Sequence, residues 1–206
     1  MTIKQGEPWG RTVDRPEELV VADGDPELAT RLDAIRDGRP GPPVFGRRGD
    51  LARTFGDPAV EGRRTLNEFP VDLLDVVVDG DAVTACAHVV IRAPWWRGSW
   101  WRGTVVIVMN AEFIGDWDVA PRGHPNDGRV EIFEVGTAFG LRRRLAALRR
   151  LRTGTHVPHP DIATRSVRSS TWTFPRPMAV VVDGRRPSLA TRVDVVVAAD
   201  AAVIHA

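Results

Sequence analysis

The chain has 206 residues, enough for one large or two small domains, and its 43% hydrophobic content is that of an ordinary soluble globular protein. The 28 basic and 27 acidic residues leave a net charge of +1, which excludes a strongly basic protein and argues against nucleic acid as a partner. A single cysteine excludes an intrachain disulfide and a cysteine-based zinc finger.

Residues 1–64 have the pattern of a small α/β segment. A short apolar strand at 18–22 is followed by a helix whose N-cap is predicted to be Asp25. Pro26 suits the first helical position, and Gly38 is a favourable residue just beyond the end of the helix. A brief strand at 44–45 and a helical turn at 50–55 complete this segment.

Residues 65–206 have a β-rich pattern. Hairpin turns are expected at Asp79-Gly80 and Asp183-Gly184, and an arginine-rich helix at 141–152. The predicted strands are 71–78, 82–92, 104–113, 129–135, 161–174, 178–182, 190–197 and 202–204. Many strands at regular spacing predict an antiparallel sandwich, and therefore an α+β fold in which a small α/β segment precedes a β-sandwich.

Several function classes are excluded by absent patterns. No apolar run approaches the length of a membrane-spanning helix, and the N-terminus lacks the apolar region of a signal peptide, so a cytoplasmic protein is expected. Lys4 is the only lysine, which excludes a Walker-type lysine. The sequence also lacks the Gly-x-Ser-x-Gly, His-Glu-x-x-His and Cys-x-x-Cys patterns. Cys86 is expected to be a small buried strand residue.

The most informative stretch is 110–132, NAEFIGDWDVAPRGHPNDGRVEI, which leaves one buried strand and enters another directly after Asp127-Gly128. This segment resembles the C-terminal domain of the diacylglycerol kinase and sphingosine kinase-like lipid kinases. Three more segments resemble family motifs: the strand at 71–73, the Gly-x-His segment at 153–160 and the late "DGE" hairpin at 182–184.

Two upstream segments resemble the nucleotide motifs of the same family. Residues 20–28, VVADGDPEL, line up with VVAGGDGTLNE, and residues 46–56, GRRGDLARTFG, line up with GTGNDFARTLG. The resemblance implies ATP and Mg²⁺ as cofactors of an active member. It also implies a nucleotide site that contains Gly24, Asp25, Arg47, Arg48 and Asp50.

The resemblance also implies roles for two aspartates. Asp183 would lie near the general base that deprotonates a lipid hydroxyl, and Asp127 would help to hold Mg²⁺ across the same cleft. The alternative is that both are ordinary turn residues, because Asp-Gly is a common turn dipeptide.

The chain departs from the family pattern where phosphate would bind. Pro26 has no N–H to donate, and Glu27 adds a negative charge. Arg185 replaces the glutamate of the late hairpin, and only about 20 residues precede the first motif, as against the strands and helices of a full nucleotide-binding domain. We therefore expect weak ATP binding and little or no kinase activity.

The segment 93–103, APWWRGSWWRG, has four tryptophans within seven residues. Alternate strand residues point outward, so the segment is expected to protrude and to contact lipid or another subunit. The candidate lipid or interface residues are Trp95, Trp96, Arg97, Trp100, Trp101 and Arg102. Packing within the fold or dimerisation is the alternative, and the arginines of 141–152 could lie on anionic lipid or face solvent.

Three functions are compatible with these patterns. The first is a lipid-binding homologue of the lipid kinases with weak or absent phosphorylation, at times peripheral to the membrane. The second is an active kinase that transfers the γ-phosphate of ATP to a lipid hydroxyl, with its nucleotide site completed by another chain. The third is a non-catalytic interaction domain. The identity of the lipid and the oligomeric state, including a homo-oligomer, stay open.

Overall fold

The computed structural model describes residues 9–56, 60–157, 159 and 161–206. The expectation of no signal peptide falls largely on residues 1–8, which lie outside them. The first elements are β1 (Arg11–Asp14), β2 (Val20–Asp23), α1 (Asp25–Arg36), β3 (Val44–Arg48) and α2 (Asp50–Thr54). The predicted helix is confirmed, with Pro26 in its first turn, but the predicted cap is wrong. Gly24 is the N-cap and Asp25 is the first helical residue.

Strands dominate the rest of the chain. They are β4 (Thr65–Val78), β5 (Asp81–Ala85), β6 (His88–Arg92), β7 (Val105–Met109), β8 (Phe113–Ile114), β9 (Trp117–Asp118), β10 (Val130–Val135), β11 (Ile162–Val167), β12 (Ser169–Val182) and β13 (Ser188–His205). Helix α3 (Leu141–Leu151) lies between β10 and β11. The predicted α+β fold, mostly antiparallel sheet with few helices, is confirmed.

One sheet runs through the described residues in the order β1-β4-β13-β12-β6-β7-β10-β11. Its neighbours along this path are antiparallel, whereas β2 and β3 are parallel and β3 joins β13 where Phe45 pairs with His205. Apolar residues from β4 and β13 share one core with residues from β6, β7 and β10, so the sheet curls over itself to enclose that core. The boundary between 1–64 and 65–206 stays a prediction.

The predicted strand 82–92 is wrong in its continuity. The chain leaves β5 after Ala85 and enters β6 at His88, so Cys86 lies in a corner between strands. Strand β5 pairs with β4, whereas β6 pairs with β7 and β12. The corner therefore carries the chain from one part of the sheet to another, which hydrophobicity alone does not indicate.

The predicted strands 190–197 and 202–204 form one strand, β13, which continues through a register shift between Ala198 and Ala202. The predicted strand 161–174 is wrong in its continuity, because its first half is β11, which pairs with β10, and its second half belongs to β12, which pairs with β13 and β6. Strand β12 also includes the predicted strand 178–182 and has a register shift between Thr173 and Met178. Pro175 and Pro177 lie in the second irregularity and cannot donate to the ladder. The strand predicted at 104–113 ends at Met109, because Asn110 turns its side chain into the interior.

Both faces of β7 are buried. Val106 and Val108 pack in the core that the sheet encloses, and Val105 and Ile107 pack against the layer that contains α3. Alternate strand residues point to opposite faces, so one strand takes part in two separate apolar layers.

Helix α3 is fixed to the sheet by the buried side chain of Arg144. Its guanidinium donates to the backbone oxygens of Phe139 and Trp100, both at 2.8 Å, and to those of Gly103 and Gly136. One side chain thus satisfies four carbonyls and ties the tryptophan-rich segment to the start of α3.

Substitution of Arg144 by methionine is expected to lower the free energy of unfolding by about 2–4 kcal/mol, because buried carbonyls lose their donors. Arg143→Met is the matched control. Arg143 is exposed and pairs only with the partly exposed Asp161, so its loss should cost less than about 1 kcal/mol. Urea unfolding of both variants measures the difference, and equal losses would contradict this role for Arg144.

Candidate functional site

Three aspartates from separate motifs meet where α1, α2 and the β12–β13 hairpin converge. Asp25 begins α1, Asp50 begins α2, and Asp183 follows β12. The charges of Asp50 and Asp183 both act on the carboxyl group of Asp25, and the charge of Asp183 also acts on Asp50. The structure therefore brings together the three motif positions that the resemblance singles out.

Asp183 is held by the corner between β5 and β6. Its carboxylate accepts backbone N–H groups from Cys86 at 2.8 Å, Ala87 at 3.0 Å and His88 at 2.9 Å. The residue is 2% exposed and has a positive φ of 47°. A carboxylate so engaged fixes the corner, and the general-base role of Asp183 stays a prediction.

Asp25 caps the second helix. Its carboxylate accepts the backbone N–H groups of Asp50 at 2.7 Å and Leu51 at 3.1 Å. Burial raises the pKa of Asp25 to about 7, opposed by these hydrogen bonds and assisted by the charge of Asp183. Burial also raises the pKa of Asp50, against the opposing effect of His88, whose Nδ1 lies 3.3 Å from Oδ2 of Asp50.

The positions expected to hold phosphate are engaged in internal contacts. The carboxylate of Glu27 accepts the backbone N–H of Asp23 at 3.1 Å and pairs with Arg31. The hydrogen bond from Asp23 lowers the pKa of Glu27, so this group is negatively charged at neutral pH. Arg47 and Arg48 both pair with the carboxylate of Asp23, at 3.1 and 3.6 Å.

Arg185 connects the hairpin to the first helix. Its guanidinium donates to the backbone oxygens of Thr84 at 2.9 Å and Pro26 at 3.0 Å. The residue that departs from the family motif therefore places a positive group against the first turn of α1, and this charge acts on the Cys86 thiol in the corner that Asp183 holds.

Asp127 belongs to a different group of polar residues. Its carboxylate accepts the backbone N–H of Arg129, and the charges that act on it include Glu131 and Arg129. The next residue, Gly128, donates its N–H to the buried Asp72 at 2.7 Å. A single cleft shared by Asp127 and Asp183 stays a prediction.

Sequence reasoning assigns no role to Asp72 and Asn110, which join the two groups. Asp72 is fully buried and also accepts the N–H of Asp200 at 2.8 Å. The Asn110 side chain donates to the backbone oxygens of Asp72 at 3.0 Å and Cys86 at 2.8 Å. A polar residue directly after the buried strand β7 was the available signal.

The local residues fit ATP and Mg²⁺ poorly. Glu27 presents a carboxylate at the phosphate-loop position, and the two nearby arginines are paired with Asp23. In the part of the chain that the structure describes, no group of three or more His, Cys, Asp or Glu side chains is arranged to hold a metal ion.

The tryptophan-rich segment forms two short 3-10 turns, Trp95–Arg97 and Ser99–Trp101. Trp95 is 78%, Trp96 58% and Trp101 43% exposed, so the predicted protrusion is confirmed for three of the four rings. Trp100 turns inward and lies edge-on to Trp117, with ring centroids 5.7 Å apart.

A narrow apolar cavity of about 70 Å³, partly open to solvent, lies between the sheet and α3. Its lining is almost entirely apolar, with Arg144 and His156 as the two polar exceptions. The lining residues are Trp100, Val105, Ile107, Trp117, Val119, Phe133, Val135, Phe139, Arg144, Ala147, Leu148, Leu151, His156 and Ile162. Typical small-molecule sites measure roughly 300–1,000 Å³, so a ligand would have to widen this cavity by moving α3 or the side chains that line it.

His156 is the unusual member of this lining. It is 4% exposed, and neither ring nitrogen makes a well-formed hydrogen bond within the described residues, although the Val119 backbone favours its charged form. Burial lowers the pKa of His156, opposed by the carboxylate of Asp118. A neutral imidazole offers one donor and one acceptor.

Comparison with protein families gives a match over residues 59–203 to the YegS C-terminal NAD kinase beta sandwich-like domain. The match includes most strands of the sheet, the cavity lining, Asp183 and the group around Asp127, and it leaves out Asp25 and Asp50. The chain belongs to this family. Its relation to the lipid kinases, expected from the motifs at 110–132 and 182–184, is confirmed at the level of family and fold.

Solved structures support the same fold. Two structures of a proposed diacylglycerol kinase from Bacillus anthracis strain Sterne share 15% and 14% identity with this chain, with TM-scores of 0.63 and 0.64. They cover 90% of this chain and 76% and 77% of the other chains. A diacylglycerol kinase structure from the same strain has 14% identity and a TM-score of 0.60, and covers 90% of this chain and 75% of the other.

No curated protein matches the chain in sequence. Within the described residues, none of the helices combines the length and the apolar character needed to cross a membrane.

The raised pKa of Asp25 predicts how stability depends on pH. The folded state binds this proton more tightly than the unfolded chain, so the free energy of unfolding falls as pH rises from about 4 to about 7. Each unit of pKa difference corresponds to about 1.4 kcal/mol, so the fall should amount to a few kcal/mol. The variant Asp25→Asn should lack this fall in the free energy of unfolding. Urea unfolding of both proteins at a series of pH values measures the difference.

The matched control is Asp37→Asn, at the exposed end of α1, which reports the loss of one surface charge. If the free energies of unfolding of the wild type and of Asp25→Asn change equally between about pH 4 and about pH 7, the raised pKa of Asp25 is contradicted.

Proposed function

We propose that this protein binds a lipid in the cavity beneath α3 and that its ATP-dependent phosphorylation of lipid is weak or absent. The observation that carries the proposal is the apolar cavity with a buried histidine, His156, whose ring nitrogens make no well-formed hydrogen bond to any described residue. An apolar body with a polar end matches this lining, because the walls offer dispersion contacts and the imidazole offers one donor and one acceptor.

The energetics of His156 favour an amphipathic ligand over a purely apolar one. A buried polar group without a partner costs about 1–3 kcal/mol, which a ligand hydroxyl or carbonyl would relieve. The Arg144 guanidinium is engaged with four backbone oxygens, so it fixes the wall of the cavity and leaves recognition to His156. A glycerol- or sphingoid-based lipid has both the chain and the hydroxyl.

The phosphate loop supports the second part of the proposal. Phosphoryl transfer depends on positioned donors and positive charge around the transferred group. At this loop Pro26 lacks a donor, and Glu27 holds the Asp23 N–H that would otherwise face a phosphate. Loss of one oriented donor costs about 3 kcal/mol in a transition state.

An active kinase is the alternative, and one observation favours it. Asp25, Asp50 and Asp183 approach one another although they come from motifs far apart in the chain. Arg185 could supply positive charge beside them. The two functions differ in what ATP does to the protein and to a bound lipid.

The cavity predicts a paired effect on lipid binding. Ala147 lines the cavity, whereas the neighbouring Ala146 is exposed on the same helix. Ala147→Phe should weaken binding of dioctanoylglycerol and of sphingosine by about tenfold or more, because the added ring occupies ligand volume. Ala146→Phe should leave binding unchanged. Calorimetric titration with both lipids measures the difference.

The variant His156→Leu provides a second test. It should weaken binding of the hydroxyl-bearing lipid more than binding of a hydrocarbon chain of equal length. Equal binding by the wild type and both alanine variants, or no binding of either lipid, would contradict a lipid site in this cavity.

Because of this phosphate loop, we expect little transfer of radiolabelled phosphate from ATP·Mg²⁺ to these lipids. The wild type should transfer no more phosphate than an Asp183→Asn variant, which defines the background. Transfer well above that background, abolished by Asp183→Asn, would overturn the weak-kinase part and support the active kinase. Thermal shifts separate the cases further, since a ligand stabilises the state that binds it. Stabilisation by lipid alone is expected.

A further inference from the structure

Exposed apolar side chains are concentrated beside the cavity. Trp95, Trp96 and Trp101 from the 3-10 turns are exposed by 78%, 58% and 43%, and Leu141 and Leu145 from α3 by 54% and 43%. We call these five residues the Trp–Leu surface. Large apolar groups exposed together, unlike scattered single ones, mark an interaction site.

The tryptophan-rich segment and α3 meet at this surface, where Trp101 lies beside Leu141. Trp101 and Leu141 line the same shallow depression, together with Arg102 and Gly140. Arg144 holds the two segments together, because its guanidinium donates to the backbone oxygens of Trp100 and Gly103 from within α3. Leu145 lies one turn after Leu141 and so extends the surface along the helix.

Positive charge borders the same surface. Arg142, Arg149 and Arg150 are exposed on α3, and Arg102 is exposed beside Trp101. Helix α3, LRRRLAALRRL, contains no acidic residue. The whole chain has a net charge of only +1, so this is a local concentration of positive charge. Arginine forms paired hydrogen bonds with phosphate.

We infer that the Trp–Leu surface docks on an anionic lipid bilayer. Indole rings partition to the boundary between lipid headgroups and hydrocarbon, and basic residues near an anionic membrane strengthen attachment. Phosphate headgroups match the arginines in charge, which favours an anionic bilayer as the occupant of this surface.

The inference deepens the proposed function and rests on it, since a bilayer is the source of a ligand for the cavity. Trp100 lines the cavity, and the adjacent Trp101 lines the outer depression. Docking through this surface would bring the cavity wall to the lipid–water boundary, so that a lipid would travel a short path to His156.

The test is flotation of the full chain with vesicles of phosphatidylcholine alone or mixed with an equal amount of phosphatidylglycerol. Binding to the anionic vesicles is expected, and it should weaken as salt is added. The triple change Arg142→Gln, Arg149→Gln and Arg150→Gln should reduce partitioning by about fivefold for each arginine. Trp95→Ser with Trp96→Ser should reduce it by about tenfold or more.

The matched control removes the same charge elsewhere, through Arg63→Gln, Arg64→Gln and Arg186→Gln at three exposed positions. These variants should bind as the wild type does. Equal losses in the two triple variants would overturn the inference, because overall charge would then account for binding. Equal binding to both kinds of vesicle would overturn it as well.

Ala147→Phe separates this inference from the proposed function, since it fills the cavity and leaves the Trp–Leu surface intact. It should still bind anionic vesicles. Loss of vesicle binding alongside normal binding of dioctanoylglycerol would overturn the membrane surface and leave the cavity standing. A dimer in light scattering that Trp95→Ser with Trp96→Ser dissociates, without vesicle binding, would assign the surface to a second copy and overturn the inference.

Discussion

The carboxylate of Asp183 holds the corner on which the rest of the structure depends. It accepts three successive backbone N–H groups from residues 86–88, and its own N–H donates to the oxygen of His88. These N–H groups cannot pair along a sheet edge once the chain turns between β5 and β6. The β12–β13 hairpin therefore fixes the turn by which the sheet changes direction and encloses its core.

Other polar contacts are arranged around that corner. Asp25 lies close to Asp183 and uses its carboxylate to cap α2, which places Asp50 beside His88. Asn110 binds the oxygen of Cys86 from the opposite side. Three acidic groups thus lie near one another, with Arg185 as a neighbouring cation. At these motif positions, the side chains of Asp25 and Asp183 form hydrogen bonds that fix the backbone.

Much of this architecture follows from local sequence. Helix α1 was predictable from Pro26 and Glu27 in its first turn, and most strands from apolar runs bounded by turn residues. The cap was not, because the carboxylate of Asp25 binds the start of α2 and not the start of its own helix. The motif at 182–184 pointed to Asp183. The corner at 86–87 was not predictable, because the groups that stabilise it come from about a hundred residues later in the chain.

The remaining features depend on tertiary contacts that no local pattern records. The arginines of α3 are alike in sequence, yet Arg144 is buried among carbonyls and Arg143 pairs with Asp161 at the surface. His156 lies in a segment with no helical or strand periodicity, and only the packing of α3 over the sheet gives it a cavity. Charge and hydrophobicity patterns identify such a helix, but not which residue points inward.

The two buried faces of β7 have different roles, although both belong to the same five-residue strand. Val106 and Val108 contribute to the enclosed core, while Val105 and Ile107 form part of the cavity wall. Volume changes at the first pair would be felt as lost stability. Changes at the second pair would alter the shape of the cavity. Substitutions at alternate positions of β7 can therefore reshape the cavity while the enclosed core stays intact.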